Sequence, residues 1–419
     1  MKGQGSNLVS DKNTGTRRTG RTSPHRFKIK HETIAHLEAD LLRRVRAQEG
    51  LSRIELARSL NLAPSTVGIY VDHLIEAGFL SEGKRVGREF GRPPTALGLN
   101  AQGGRFIGVD FEARNIMATA VDFSQKPLKQ FHDTIAEADT VEHILGKIEN
   151  AICEVKKNDN RRVLAIGVGV PGSIDPVHGI ARQYKHIRGW NDIPLVVRLA
   201  GRFSVPVFLE NNIRSMALAE LWFGQGRGLQ DFICLGMRSG IGAGIVIDGH
   251  IYHGSDNLAG EIGDWPCAPT APLRPGSSSR LPSLEEIASL RGIQAFLASN
   301  GHANPLHAQL GAEFSLAQLL KAARDGDETI IKLLERVAST LGLVACQLER
   351  AFNSGKIILA GAFPAFGSAF LERVRESFQE FCHSEKPTHL VVSDLGEFNG
   401  ALGAAALAVH EWKPVTDKS

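Results

Sequence analysis

The stretch LSRIELARSLNLAPSTVGIYVDHLIEAGFL, residues 51–80, decides how the front of this chain folds. It reads as two short helices joined by a tight turn. Ser52 is positioned to cap the first helix, with Glu55 three residues on to complete a capping box. Ile54, Ala57 and Leu60 form its expected inward face, and Asn61 marks the turn. The second helix is expected to begin at Pro64, because a first helical position does not need the N–H that proline lacks. Val67, Val71, Leu74 and Ile75 recur at helical spacing, and Gly78 suits the left-handed position that ends a helix. Ser65, Thr66, Gly68, Ile69 and His73 are left pointing outward. Small and polar residues at the start of such a helix let it approach base edges and phosphates in a major groove.

Two strands are expected next, Phe79–Val86 and Thr95–Asn100. Between them lies Gly87-Arg88-Glu89-Phe90-Gly91-Arg92-Pro93-Pro94. Arg88 and Arg92 among turn formers have the chemistry of a wing that reaches phosphates or a minor groove. The whole reads as a winged helix-turn-helix over residues 31–100, with a double-stranded DNA operator as partner. Ile34, Leu37, Leu41 and Val45 add an amphipathic helix beneath it. Residues 1–30 hold eight Lys+Arg and one Asp and read as a disordered basic tail. Asn100–Gly104 reads as a short linker.

Composition sets the outer limits. A chain of 419 residues with 42% apolar content has room for two or three domains with proper cores. Residues 1–100 carry 17 Lys+Arg against 10 Asp+Glu, whereas the remainder carries 31 against 35. A basic front on an acidic body fits a nucleic-acid-binding head on a domain with another task. Cys153, Cys234, Cys267, Cys346 and Cys382 are odd in number and form no CxxC pair, which argues for thiols in a reducing compartment. No apolar run approaches the roughly 20 residues that span a bilayer. A cytoplasmic protein is expected.

From residue 105 the pattern changes to strands alternating with helices, an α/β architecture. Strands are expected at Arg105–Asp110, Ile116–Asp122, Phe131–Ile135, Val163–Val170 and Val207–Leu209, with helices at Thr140–Lys156 and Ile213–Phe223. The plan then restarts. A strand at Asp231–Leu235 and a hairpin about Asp248-Gly249 lead into helices that run to Phe352. Strands at Lys356–Leu359 and His389–Val392 and a helix at Gly400–Val409 follow. Two successive halves of this kind suggest two lobes with a cleft between them.

The motifs GVDFEARNIMATAVD, GVGVPGSID, ENNIRSMALAE, SGIGAGIVIDG, AGEIGD and SLEEIAS follow one another between residues 108 and 289. In this order and spacing the chain resembles the ROK family, which holds bacterial sugar kinases and sugar-responsive repressors. The resemblance runs from residue 32 to 410, winged head included. It implies a two-lobed actin-like ATPase (ribonuclease H-like) fold, with lobes at 105–230 and 231–412. A sugar would lie in the cleft and, in the kinases, ATP beside it.

The kinase chemistry then fails residue by residue. Phosphoryl transfer needs a phosphate cradle, a metal and a base near the sugar hydroxyl. The kinases' first cradle resembles Asp-x-Gly-Gly-Thr, and this chain has Asp110-Phe111-Glu112-Ala113-Arg114. Both glycines are gone, and Glu112 adds negative charge where phosphate belongs. Gly240 and Gly242 of the second glycine-rich stretch remain, as does Gly361, so Asp110, Gly240, Gly242 and Gly361 read as a degenerate nucleotide site. In the kinases Glu-Asn-Asp-Ala-Asn supplies the base; here the run is Glu210-Asn211-Asn212-Ile213-Arg214. The Asn212 amide accepts no proton, though it still donates and accepts hydrogen bonds. One of Asn211 and Asn212 could equally cap the following helix.

Asn211, Asn212, Glu261, Asp264 and Glu285 are the sugar-binding residues that the resemblance implies, carboxylates being suited to pairs of hydroxyls. Many family members carry zinc between those glutamates. Here Asp264 falls at the His position and Gly276, Ser278 and Ser283 at the three Cys positions, so no metal or other cofactor is expected. Pro266, Pro269, Pro272, Pro275 and Pro282 would stiffen that loop instead. The expected function is a transcriptional regulator of carbohydrate metabolism, a homodimer or homotetramer, with a sugar or phosphosugar effector. The alternatives are a sugar kinase with a DNA-binding appendage and a lobe that only dimerises.

Overall fold

The computed structural model describes residues 24–84, 95–267, 281–299, 315–382 and 388–414. At the front, Ser52 caps the helix Arg53–Ser59, and Glu55 returns a bond to its backbone. Asn61 takes a positive φ in the turn, and Gly78 follows the helix Pro64–Glu76 with φ of +77°. Val67, Val71 and Leu74 are buried in one cluster with Leu41, Leu42, Val45, Leu56 and Ala57. Ile54 does not join them and is 53% exposed. At 100° per residue, Leu56, Ala57 and Leu60 centre the inward stripe, which leaves Ile54 roughly 115° away from it.

The strand Leu80–Lys84 pairs antiparallel with Thr95–Leu99. The tip that carries Arg88 and Arg92 lies outside the described residues, as do residues 1–23. The helix beneath begins at Pro24, inside the expected tail. Once its buried half is nucleated, each added residue gains a hydrogen bond. The expected linker is a 3₁₀ turn, Ala101–Gly103, and Asn100 donates from its amide to the Gly78 carbonyl at 2.8 Å.

That tie is part of a larger junction. Phe79 stacks on Phe123 at 4.9 Å and meets Trp412 edge-on at 5.1 Å. Phe106, in the first strand of the body, lies 5.7 Å from the same Trp412. Arg46 sits over the Phe123 ring at 5.0 Å and donates to the Val409 carbonyl at 3.4 Å. The head is therefore joined to the body by a buried aromatic cluster.

The body holds two five-stranded sheets of the same plan. In chain order each runs fifth, fourth, first, second, third. The first orders Val207–Asn211, Val163–Val170, Arg105–Phe111, Asn115–Asp122 and Pro127–Thr134. The second orders His389–Val392, Lys356–Gly361, Phe232–Met237, Ile241–Ile247 and His250–Ile251. In both, the first three of that list are parallel and the other two antiparallel. The sequence reading missed a small sheet, Ser173–Asp175, Ile180–Gln183 and Asn191–Ile193, and the helix Leu195–Phe203. Their strands are three or four residues long, too short for a periodic signal.

Two helices fill the space between the sheets. The helix Asn212–Phe223 packs on the second sheet, where Gly236 and Gly244 admit Ile213 and Ala217. The helix Asn399–Glu411 lies on the first sheet although it follows the second in sequence, so the expected lobe 231–412 is not one packing unit. A Cβ on Gly108 or Gly167 would stand 2.0 Å or 1.8 Å from its backbone, and one on Gly403 would stand 1.6 Å from the Ser215 carbonyl oxygen. No described helix is long and apolar enough to cross a membrane. All five cysteines are unpaired, with Cys234 and Cys346 buried and the other three half-buried.

Candidate functional site

Asn211 closes the strand Val207–Asn211 and caps the helix Asn212–Phe223, its Oδ1 accepting from the Ile213 N–H at 2.8 Å. Its amide donates to the Gly172 carbonyl at 3.1 Å and toward Glu261 Oε1 at 3.4 Å. Capping therefore occupies the oxygen of Asn211, and Asn212 is the amide left facing the cleft. Beneath them Glu210 is buried, accepting from Arg214 at 2.7 Å and bonded to His253 at 2.8 Å. These two hold its carboxyl below the usual range against the upward pull of burial. Arg214 also donates to the Asn257 carbonyl at 3.0 Å, so the network fixes the 253–257 loop to the strand.

A cavity of about 410 Å³ opens here, within the ~300–1,000 Å³ usual for small-molecule sites. Asn211, Asn212, Glu261, Asp264 and Glu285 all line it. The five residues implied for sugar binding do converge. Burial raises the Glu261 carboxyl, with Arg214 opposing and Asp264 and Glu285 adding to the rise. Glu285 goes the other way, down to about 2, through hydrogen bonds to His186 and then Lys185. Its Oε1 lies 2.7 Å from Lys185 Nζ and 3.5 Å from His186 Nε2. Lys185 and His186 were not singled out in the sequence, because they sit between two strands too short to read.

The residues expected at a degenerate nucleotide site are divided between a buried ion pair and two cavities. Asp110 is buried and ion-paired with Arg238, whose other terminal nitrogen donates to Asn399 Oδ1 at 3.3 Å. Glu112 accepts from the Ser239 N–H at 3.1 Å and from its hydroxyl at 2.9 Å. Burial, with the Glu112 charge beside it, pushes the Tyr184 phenol far above the usual range. Glu112, Arg238 and Ser239 form the wall between the 410 Å³ cavity and a larger cleft of about 1570 Å³. Gly240 and Gly242 line the smaller space and Gly361 the larger. Gly361 has φ of +80° and a Cβ there would stand 2.2 Å from the Met237 carbonyl oxygen, so backbone geometry alone accounts for it.

Ser283 Oγ caps the helix Leu284–Ala288 by accepting from the Glu286 N–H. Gly276 and Ser278 lie outside the described residues. Among the described residues no cluster of three His, Cys, Asp or Glu is placed to hold a metal ion.

On the head, Ser65 and Ile69 are exposed, Thr66 and Gly68 half-buried. His73 turns inward, its Nδ1 3.7 Å from the fully buried Glu38, whose carboxyl is raised by that burial.

The ROK family model matches residues 106–411 of the chain. A glucokinase of Thermotoga maritima is 30% identical over 311 residues, covering 72% of this chain and 96% of its own length. A xylose repressor of Caldicellulosiruptor bescii is 27% identical over 380 residues, covering 86% and 92%. Among solved structures, a ROK family transcriptional regulator homologous to the MLC protein of E. coli superposes with a TM-score of 0.74 at 24% identity, over 91% of this chain and 97% of its own. That superposition shows a shared fold.

Proposed function

This chain belongs to the ROK family, and from that premise we propose that it is a DNA-binding transcriptional repressor of carbohydrate metabolism. Its head, the helix from Pro24 to Ala47 and the elements up to residue 100, is read as a winged helix-turn-helix. The body, residues 105–412, is read as an actin-like sensor that binds a sugar or phosphosugar without phosphorylating it. Two heads on a dimer or tetramer would engage half-sites one or more helical turns apart, since a single head offers too little surface for tight specific binding.

The observation that carries this reading is the occupied wall of the cleft. Glu112 takes the Ser239 donors, and Arg238 pairs with Asp110. Donors that would meet a transferred phosphate are spent within the protein, and Asn212 offers no base. Asn212, Glu261, Asp264 and Glu285 still present hydrogen-bonding groups to the smaller cavity. That is equipment for holding a polyol.

A tenfold loss of DNA affinity on effector binding needs about 1.4 kcal/mol of preference for one lobe arrangement. One or two hydrogen bonds supply it. The test pairs calorimetry over a panel of sugars and sugar phosphates with a coupled ATP assay and footprinting of adjacent genomic DNA. Expected are a protected symmetric site, effector binding lost in Glu261→Ala, and no sugar-dependent ATP turnover. Turnover of order 1 s⁻¹ would restore the kinase reading.

A further inference from the structure

Ser65, Ile69, Asp72 and Glu76 form the exposed stripe of the helix Pro64–Glu76, one above another at spacings of three and four. None of them is Arg, Lys, Asn or Gln, the side chains that grip guanine or adenine edges in a major groove. Asp72 is engaged by Arg53 at 2.7 Å, and Arg53 also holds Glu82 at 2.8 Å. Ile69 therefore stands as the one large side chain of the stripe with no polar group, 56% exposed in mid-helix. Beside it, a Cβ on Gly68 would meet nothing within 4 Å, and its φ is an ordinary negative one. Neither packing nor backbone strain explains a glycine that costs about 1 kcal/mol of helix stability. What its bareness provides is closer approach of an outside surface to this turn, and so deeper entry for Ile69.

An aliphatic side chain has no hydrogen bond to offer a base edge. The apolar feature of the major groove is the C5-methyl of thymine. We infer that Ile69 reads a thymine methyl group in each half-site and is the specificity-determining residue of this helix. The inference rests on the DNA-binding reading above and adds the base that is read.

The test starts from sites selected by the full-length protein from random-sequence duplexes. In the recovered site each dT is replaced in turn by dU, which removes only the methyl group. At one position per half-site the wild-type protein should lose about fourfold in affinity, the equivalent of one methyl group returned to water. Ile69→Ala should bind dT and dU there equally while keeping its response at all other positions. Ile69→Gln should move the preference at that position toward adenine. If dU is tolerated at every thymine, the inference is overturned and DNA binding stands. If selection recovers no site at all, the inference falls together with the proposed function.

Discussion

Asp110 lies beneath the cleft with one carboxylate oxygen on Arg238 and the other buried without a partner. Burial pushes its carboxyl up to about 6, with Arg238 pulling downward. In an unfolded chain it returns to about 3.9. Between those values the native state holds the extra proton, so this group's stabilisation is fully present below about pH 4 and is lost as pH rises to about 6. The limiting size is about 3 kcal/mol. Urea melts of wild type and Asp110→Asn across that window should therefore diverge in slope; parallel curves would show that Asp110 titrates normally. A second residue-scale expectation concerns the wall. Asn212→Asp restores a base but leaves Glu112 on Ser239 and Arg238 on Asp110, so the single variant should show no sugar-dependent ATP turnover in a coupled assay. Turnover from that change alone would mean that the wall is no barrier.

At the scale of elements, the helix Asn399–Glu411 leaves the least slack. In Gly403→Ala the new methyl would lie on the Ser215 carbonyl oxygen, at 1.6 Å before any shift. The loss should reach about 3 kcal/mol, the upper range for overpacking, measured by denaturant unfolding. By contrast Ser52→Ala removes a local cap and should cost about 1 kcal/mol. The two cases divide what could be read from the sequence. Ser52 and Glu55, Asn61, Pro64 and Gly78 act within a few residues of themselves, so their pattern was visible in the string. Gly108 and Gly167 fell within family motifs and Gly403 within an expected helix, yet each makes room for a helix far away in the chain. Lys185 and His186 gave no signal, because the contact with Glu285 crosses between the two halves and no local rule announces such a pairing. The motif order identified the candidate cavity, while the cross-lobe contacts that wall it came only with three-dimensional structure.

For the molecule as a whole, the cluster of Phe79, Phe106, Phe123 and Trp412 makes head and body one mechanical unit. Trp412 is buried, and its replacement by alanine should cost about 3–5 kcal/mol. Wild type should unfold in one transition by both far-ultraviolet circular dichroism and fluorescence. Trp412→Ala should separate into two, with the head melting first. A single shared transition in the variant would mean that the head is held by other contacts.

The same helix has a consequence for how the protein is made. Strands 105–111 and 163–170 leave the ribosome long before residues 399–411, which cover one of their faces. Until then the nascent first sheet exposes Gly108, Gly167 and the apolar side chains around them, a surface open to aggregation or chaperone capture. Phe79 likewise waits for Trp412. A chain halted anywhere before residue 399 would have its head resting on Phe123 without Trp412 to close the aromatic cluster over Phe79.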